Sequence, residues 1–282
     1  MKKAFSLLFL TYCVPLFLSV VLEAFIPFSP ILTALILDIF STIVVFFFSL
    51  SCNNSSMYDP YWNVAPVVIS LYWLEGNNPT SYLFLVLVIM WSIRLTYNCC
   101  IHWKGLKDED WRYCSFRKTT GSFYWPVSFI GIHLFPTLIV FANLTPAYQI
   151  LTDKPSTLIA PFAGSFLMLA GTILEFFADR QMDRYQKERK NNKECCTLGL
   201  WGYSRHPNYL GELSFWWGMF VFSLGYGSFS FGKVLGPIAM TVLFLGYSIP
   251  AMEKRQLAHR PCYKQIQKQI PMLLLGKRNL AK

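Results

Sequence analysis

Residues 30–50 read PILTALILDIFSTIVVFFFSL, an apolar run broken by a single charge, Asp38. As a helix this run rises about 30 Å, the thickness of a bilayer's hydrocarbon core. No soluble fold needs such a segment. Working outward, similar apolar blocks occur at 4–27, 64–75, 79–97, 126–146, 156–178, 208–226 and 233–250. The 64–75 block is too short to span comfortably and reads as a crossing, a tilted helix or a re-entrant one. The expected fold is all-α: a polytopic membrane helical bundle of about seven or eight spans. Composition agrees. Hydrophobic residues make up 54% of the 282 and charged residues only 14%, against roughly 25% in soluble domains.

Met1-Lys2-Lys3 before an apolar run resembles a signal peptide. No small-x-small cleavage site follows, so a retained first helix is expected. The net charge is +10. Basicity alone fits nucleic acid, a membrane surface or an anionic ligand. Position decides: 22 of the 25 Lys and Arg fall at the N-terminus, between 98 and 122, between 179 and 206, and after 250. Only Lys154 and Lys233 lie in the alternate loops, and Arg94 sits near a block end. Eight crossings put all four clusters on one face, which the positive-inside rule makes cytoplasmic, with both termini inside. Topology therefore explains the charge, and nucleic acid is not an expected partner.

The eight cysteines show no CxxC spacing, and the four histidines are isolated from one another. No metal site is expected. Cys99-Cys100 and Cys195-Cys196 are adjacent pairs, which disfavours a bond within either pair. With Cys114 and Cys262 they lie on the expected cytoplasmic side, where thiols stay reduced. No GxGxxG or GxxxxGK[ST] loop is present.

Ionisable residues inside apolar blocks are costly and face partners or wet cavities. Here they are Glu23, Asp38, Glu75, Arg94, His133, Glu175 and Glu212. Interhelical packing or snorkelling is the plain reading of Glu23, Asp38 and His133; Glu75 and Arg94 fit the interface. Glu175 and Glu212 instead adjoin the densest polar stretch of the chain. A second oddity is 57–63, MYDPYWN. It reads as an aromatic belt with a turn, or as a loop lending a phenol and a carboxylate, Tyr58 and Asp59, to proton transfer. Residues 93–117 read as an amphipathic, ion-paired segment.

The polar stretch runs from Glu175 to Glu212. It contains ADRQ at 178–181 and WGYSRHPNYLGE at 201–212. A helix leaves the membrane near 179 and another enters near 208. Pro207 suits its first turn, and Gly211 permits close backbone approach. Arg205 offers a planar fork suited to phosphate. His206 and Asn208 add directional hydrogen bonds, and Trp201, Tyr203 and Tyr209 can stack on a flat ring. The mixture suits an anionic nucleotide at the membrane edge, or a plain membrane-entry loop.

In order and spacing, Trp201-x-x-x-Arg205-His206-Pro207-Asn208-Tyr209-x-Gly211-Glu212 resembles the steroid 5-alpha-reductase superfamily, most closely its DUF1295 branch. Ala178-Asp179-x-Gln181 looks like that branch's A-D-x-Q. Met252-Glu253-x-Arg255-x-Leu257-x-x-Arg260-Pro261-x-Tyr263 looks like its closing motif. Tyr58-Asp59-Pro60-Tyr61-Trp62, Arg94-Leu95-Thr96, Glu109-Asp110-Trp111-Arg112 and His133-x-x-Pro136-Thr137 extend the likeness over about 57–275. The resulting expected organisation is N-terminal transmembrane helices at 1–56, the family domain at 57–275 with its cofactor part at about 170–265, and a basic tail at 276–282.

The resemblance implies an NADPH-dependent reductase. It would deliver hydride to a carbon–carbon double bond of a hydrophobic, steroid- or lipid-like substrate, with the cofactor on the cytoplasmic face. It implies cofactor contacts from Asp179, Gln181, Trp201, Tyr203, Arg205, His206, Asn208, Tyr209, Glu212, Glu253, Arg255, Arg260 and Tyr263. Tyr58 and Asp59 are the proposed catalytic pair. The Gln-Glu-x-Pro segment of true steroid 5-alpha-reductases is absent, which places a steroid substrate in doubt. Two alternatives compete. Isoprenylcysteine and phospholipid methyltransferases share the RHPxYxG core but bind S-adenosylmethionine; their end motif carries Glu-Glu where this chain has Met252-Glu253. A non-catalytic lipid-binding protein could also keep the fold, its basic loops meeting anionic headgroups.

Overall fold

The computed structural model describes residues 2–75, 78–189, 191, 193–227 and 229–276. Lys190 and residues 277–282 of the expected tail lie outside the described residues. The chain divides into two compact units, Met1–Lys154 and Pro155–Lys282. Among the described residues both are helical, without a strand.

The first unit holds α1 (Lys2–Glu23), α2 (Pro30–Ser51), α3 (Tyr61–Tyr72), α4 (Pro79–His102), α5 (Trp111–Thr120), α6 (Tyr124–Ser128), α7 (Phe135–Leu144) and α8 (Ala147–Thr152). Pro30 and Pro79 open their helices, where the missing N–H costs nothing. Asn78 and Asp110 cap α4 and α5 by accepting from Thr80 N and Arg112 N. A π-turn at Phe129–Leu134 joins α6 to α7. The second unit holds α9 (Ile159–Glu188), α10 (Pro207–Ser223), α11 (Phe231–Leu243), α12 (Ile249–His259) and α13 (Tyr263–Gln269), with a π-turn at Phe244–Ser248 between α11 and α12.

Six helical stretches are long and apolar enough to cross a membrane: Ala4–Glu23, Pro30–Ser51, Pro79–His102, Trp111–Leu144, Ile159–Glu188 and Phe231–His259. The chain is an all-α, multi-pass membrane protein. The blocks expected at 64–75 and 208–226 are the two shorter helices, α3 with 12 residues and α10 with 17. An eight-crossing arrangement needs both to cross. α10 meets the lower length limit of about 17 residues, whereas α3 rises only about 18 Å.

Several buried polar groups in the first unit bond across helices, as a hydrocarbon setting favours. His133 is fully buried, with Nε2 3.0 Å from Ser49 Oγ and Nδ1 3.0 Å from Ser128 O. Tyr61 donates to Asp38 Oδ1 at 2.6 Å. Asp38 and His133 thus tie helices together, and exposed Glu23 accepts from Tyr72 at 3.3 Å.

In the second unit α9 and α10 run antiparallel along a seam of glycines seven apart. A Cβ at Gly171 would lie 2.5 Å from Gly211 O, and one at Gly211 2.6 Å from Gly171 O. One turn-pair further on, Gly218 meets Met168 N at 2.7 Å, and Gly164 faces the Phe222 backbone. Small residues let membrane helices approach this closely. The approach expected at Gly211 is present, and it fixes where α10 begins relative to α9.

Candidate cofactor site

The 199–206 turn links α9 to α10 and is held from two directions. On the α9 side, Gln181 Oε1 accepts from Leu200 N at 2.8 Å, and Trp201 Nε1 donates to Ala178 O at 2.9 Å. Gly199, at φ +54°, packs on the Gln181 amide, where a side chain would be strained and obstructed. On the C-terminal side, Arg205 N donates to Pro271 O, Ser204 Oγ to Leu273 O, and Gly276 N to Tyr203 O, at 2.8–3.0 Å. The ADxQ stretch and the C-terminal segment thus act first as a brace for the turn.

Glu253 of α12 is the hub. Its Oε1 accepts from Arg205 Nε at 2.7 Å and lies 3.1 Å from His206 Nε2. Tyr263 reaches the same oxygen at 3.4 Å, and Gln267 Nε2 donates to Oε2 at 2.7 Å. The second Arg205 arm donates to Gln267 O and Ile270 O at 2.9 and 2.8 Å. Both side chains of the ion pair are nearly buried, so the pair is sensitive to loss of either member. The Arg205 fork, expected to meet a phosphate, is therefore committed inside the protein. Burial, with the Glu253 carboxylate beside it, pushes the Tyr263 phenol up.

His206 stacks on Tyr209, with ring centres 5.5 Å apart and planes 7° from parallel, and Tyr209 continues to Phe244. Tyr203 is 55% exposed. Glu212 is buried and accepts from Trp216 Nε1 at 2.7 Å, one turn along α10. Arg260 donates to Gln256 at 2.6 Å beyond the end of α12, and Arg255 is half-buried on that helix. Asp179 is half-buried on α9.

Two polar groups here are not used by the fold. Asn208, half-buried in the first turn of α10, makes no side-chain hydrogen bond among the described residues. Tyr185 is buried on α9, and its hydroxyl likewise has no partner among them. Arg260 is its electrostatic neighbour. An orphaned buried hydroxyl beside the Arg260 guanidinium, and a free amide at a helix N-terminus, are each suited to an anionic ligand. Sequence reasoning passed over Tyr185, although it lies four residues after the ADRQ stretch. Gln267 was also missed. Its signal is the four-residue spacing from Tyr263, which puts both on one face of α13.

One expectation is corrected. Cys195 and Cys262, expected to stay reduced, form a disulfide, with Cα atoms 6.5 Å apart. The closing motif folds its Arg260–Tyr263 turn against the stretch after α9, which brings the two sulfurs together. A separation of 67 residues carries no periodic signal of that contact. Cys196, next in sequence, is a free thiol that burial pushes up.

Tyr58 and Asp59 belong to the first unit, and their polar ends bond to different partners. Thr137 gives its proton to His133 O, so Tyr58, 2.8 Å away, donates to Thr137 Oγ1. Asp59 accepts from Tyr113 at 2.6 Å. Burial, reinforced by Asp110, pushes the Asp59 carboxyl up to about 7, while Arg112 and Tyr113 pull the other way. Asp59 thus titrates near neutrality, a useful property in an acid. The Tyr58 proton is held within the helix core.

Membrane helices carrying a turn braced from α9, α12 and the C-terminal segment define the class of this protein. The chain belongs to the family described as protein of unknown function DUF1295, which matches residues 45–270. It is similar to an uncharacterized protein of Schizosaccharomyces pombe, with 26% identity over 224 residues. That match takes in 69% of this chain and 64% of the relative, so the chain spans less than two thirds of the relative's length. No solved structure matches it.

Proposed function

We propose that the protein is a membrane reductase that binds NADPH at the turn between α9 and α10. Its substrate would be a hydrophobic lipid carrying a double bond conjugated to a carbonyl. The observation that carries this reading is the Glu253 hub. It draws the closing motif and the RHPN turn into one structure while leaving the Asn208 amide and Tyr185 hydroxyl without hydrogen-bond partners among the described residues.

Asn208, Tyr185, Arg255 and Arg260 are the groups assigned to hold the cofactor, with exposed Tyr203 at the rim. Arg205, His206, Glu253 and Tyr263 set the shape of the turn. Bound NADPH supplies a hydride; the chain supplies orientation and electrostatics. Reduction of an enone also needs a proton at the alpha carbon.

The test is ligand-dependent stabilisation of the detergent-purified protein by NADPH, NADH and S-adenosylmethionine. At a hundred times its dissociation constant the true ligand adds about 2.7 kcal/mol. NADPH is expected to stabilise, and Asn208→Ala to weaken that effect without lowering the ligand-free melting temperature. Stabilisation by S-adenosylmethionine alone would favour a methyltransferase and remove the reductase.

A further inference from the structure

We propose that α1, α2 and α3 enclose a binding site that takes a neutral, elongated lipid bearing one hydroxyl group. The cavity has a volume of about 510 Å³, within the range of roughly 300–1,000 Å³ typical of small-molecule sites. α3 lines it with one helical face: Tyr61, Val64, Ala65, Val68, Ile69 and Tyr72. That face runs about 16 Å from end to end, long enough for a fused-ring lipid or a medium-length chain. On α1, Phe9, Leu16 and Val20 form the opposite wall, yet they are 68%, 44% and 67% exposed. The groove is therefore open along its side, where an apolar molecule can enter from the bilayer.

The polar groups select the head of the ligand. Asp38 lines the cavity and is 6% exposed. Its Oδ1 accepts from Tyr61 at 2.6 Å, whereas Oδ2 makes no hydrogen bond among the described residues. An unbonded carboxyl oxygen on the wall of an apolar groove is a hydrogen-bonding point for a ligand hydroxyl. The Ser19–Ser41 pair, 3.1 Å apart, adds a second polar contact where α1 meets α2. Glu23 is the other charged residue lining the cavity, and no Lys or Arg lines it among the described residues. Without a basic partner the lining offers no countercharge to a fatty acid or a phosphate. An alcohol needs none. Its test needs neither nucleotide nor turnover.

The experiment photolabels the detergent-purified full chain with a diazirine-bearing dodecanol and maps the labelled peptides. Saturable labelling within α1–α3 is expected, displaced by unlabelled dodecanol at least tenfold better than by dodecanoic acid. Asp38→Ala should weaken binding roughly tenfold or more. Val68→Phe, which fills the groove from α3, should abolish labelling while the thermal transition persists, and it decides the matter if Asp38→Ala does not fold. Labelling that never saturates and spreads over all lipid-facing helices would overturn the proposal. So would equal competition by the acid, or folded Val68→Phe protein that labels as wild type does.

Discussion

At the scale of single residues, the account turns on which polar groups are already engaged. Glu253 holds Arg205, His206 and Gln267 in a nearly buried cluster. Glu253→Ala should lower unfolding stability by about 3 kcal/mol, because it leaves the Arg205 charge uncompensated. Arg205→Met in the same chain should recover part of that loss. A double-mutant cycle in denaturant in which the two effects simply add would contradict the pairing. Asp59 gives a second prediction. Its folded pKa is raised from 3.8 to about 7, so between those values the folded state holds a proton that the unfolded chain has released. Stability should therefore fall as pH rises from about 4 to 7, and Asp59→Asn should flatten that slope. Melting temperatures across the window check it. An unchanged slope would show that the carboxyl is not buried as described. The residues of 201–212 were legible because they are consecutive. The commitment of Arg205 was not, because its partners come from α12 and from carbonyls at 267 and 270, and carbonyls leave no mark on composition.

At the scale of elements, the glycine seam positions the site. In an exposed helix, Gly→Ala gains about 1 kcal/mol. At Gly171 and Gly211 the new methyl would meet backbone at 2.5 and 2.6 Å, so the sign reverses. Gly211→Ala should destabilise by about 2 kcal/mol or more, while Gly246→Ala, with nothing within 4 Å, should be close to neutral. Thermal unfolding of both variants separates seam from background. The long helices could be read from sequence because apolar runs of bilayer length have few other uses. Among the glycines, Gly211 announced itself within a motif. Gly164, Gly171 and Gly218 did not, because spacing alone does not say which helix faces them; the pairing of α9 with α10 does.

At the scale of the whole molecule, the two units carry different chemistry. The first holds a bonded polar core and the groove over Asp38. The second holds the braced turn and the Cys195–Cys262 bond. Alkylation of unreduced, denatured protein should therefore mark six of the eight cysteines, and mass spectrometry should recover the linked peptides. Eight marked cysteines would remove the bond. By the entropy of loop closure its loss would cost about 4 kcal/mol. The central claim, that this is a reductase, is tested most directly by following deuteride from NADPH labelled at the nicotinamide C4 into a membrane lipid extract. Consumption of NADPH should accompany one lipid that gains one deuterium and one proton, and Asn208→Ala should slow both. Folded, wild-type protein that leaves NADPH unconsumed and every lipid unlabelled would contradict it.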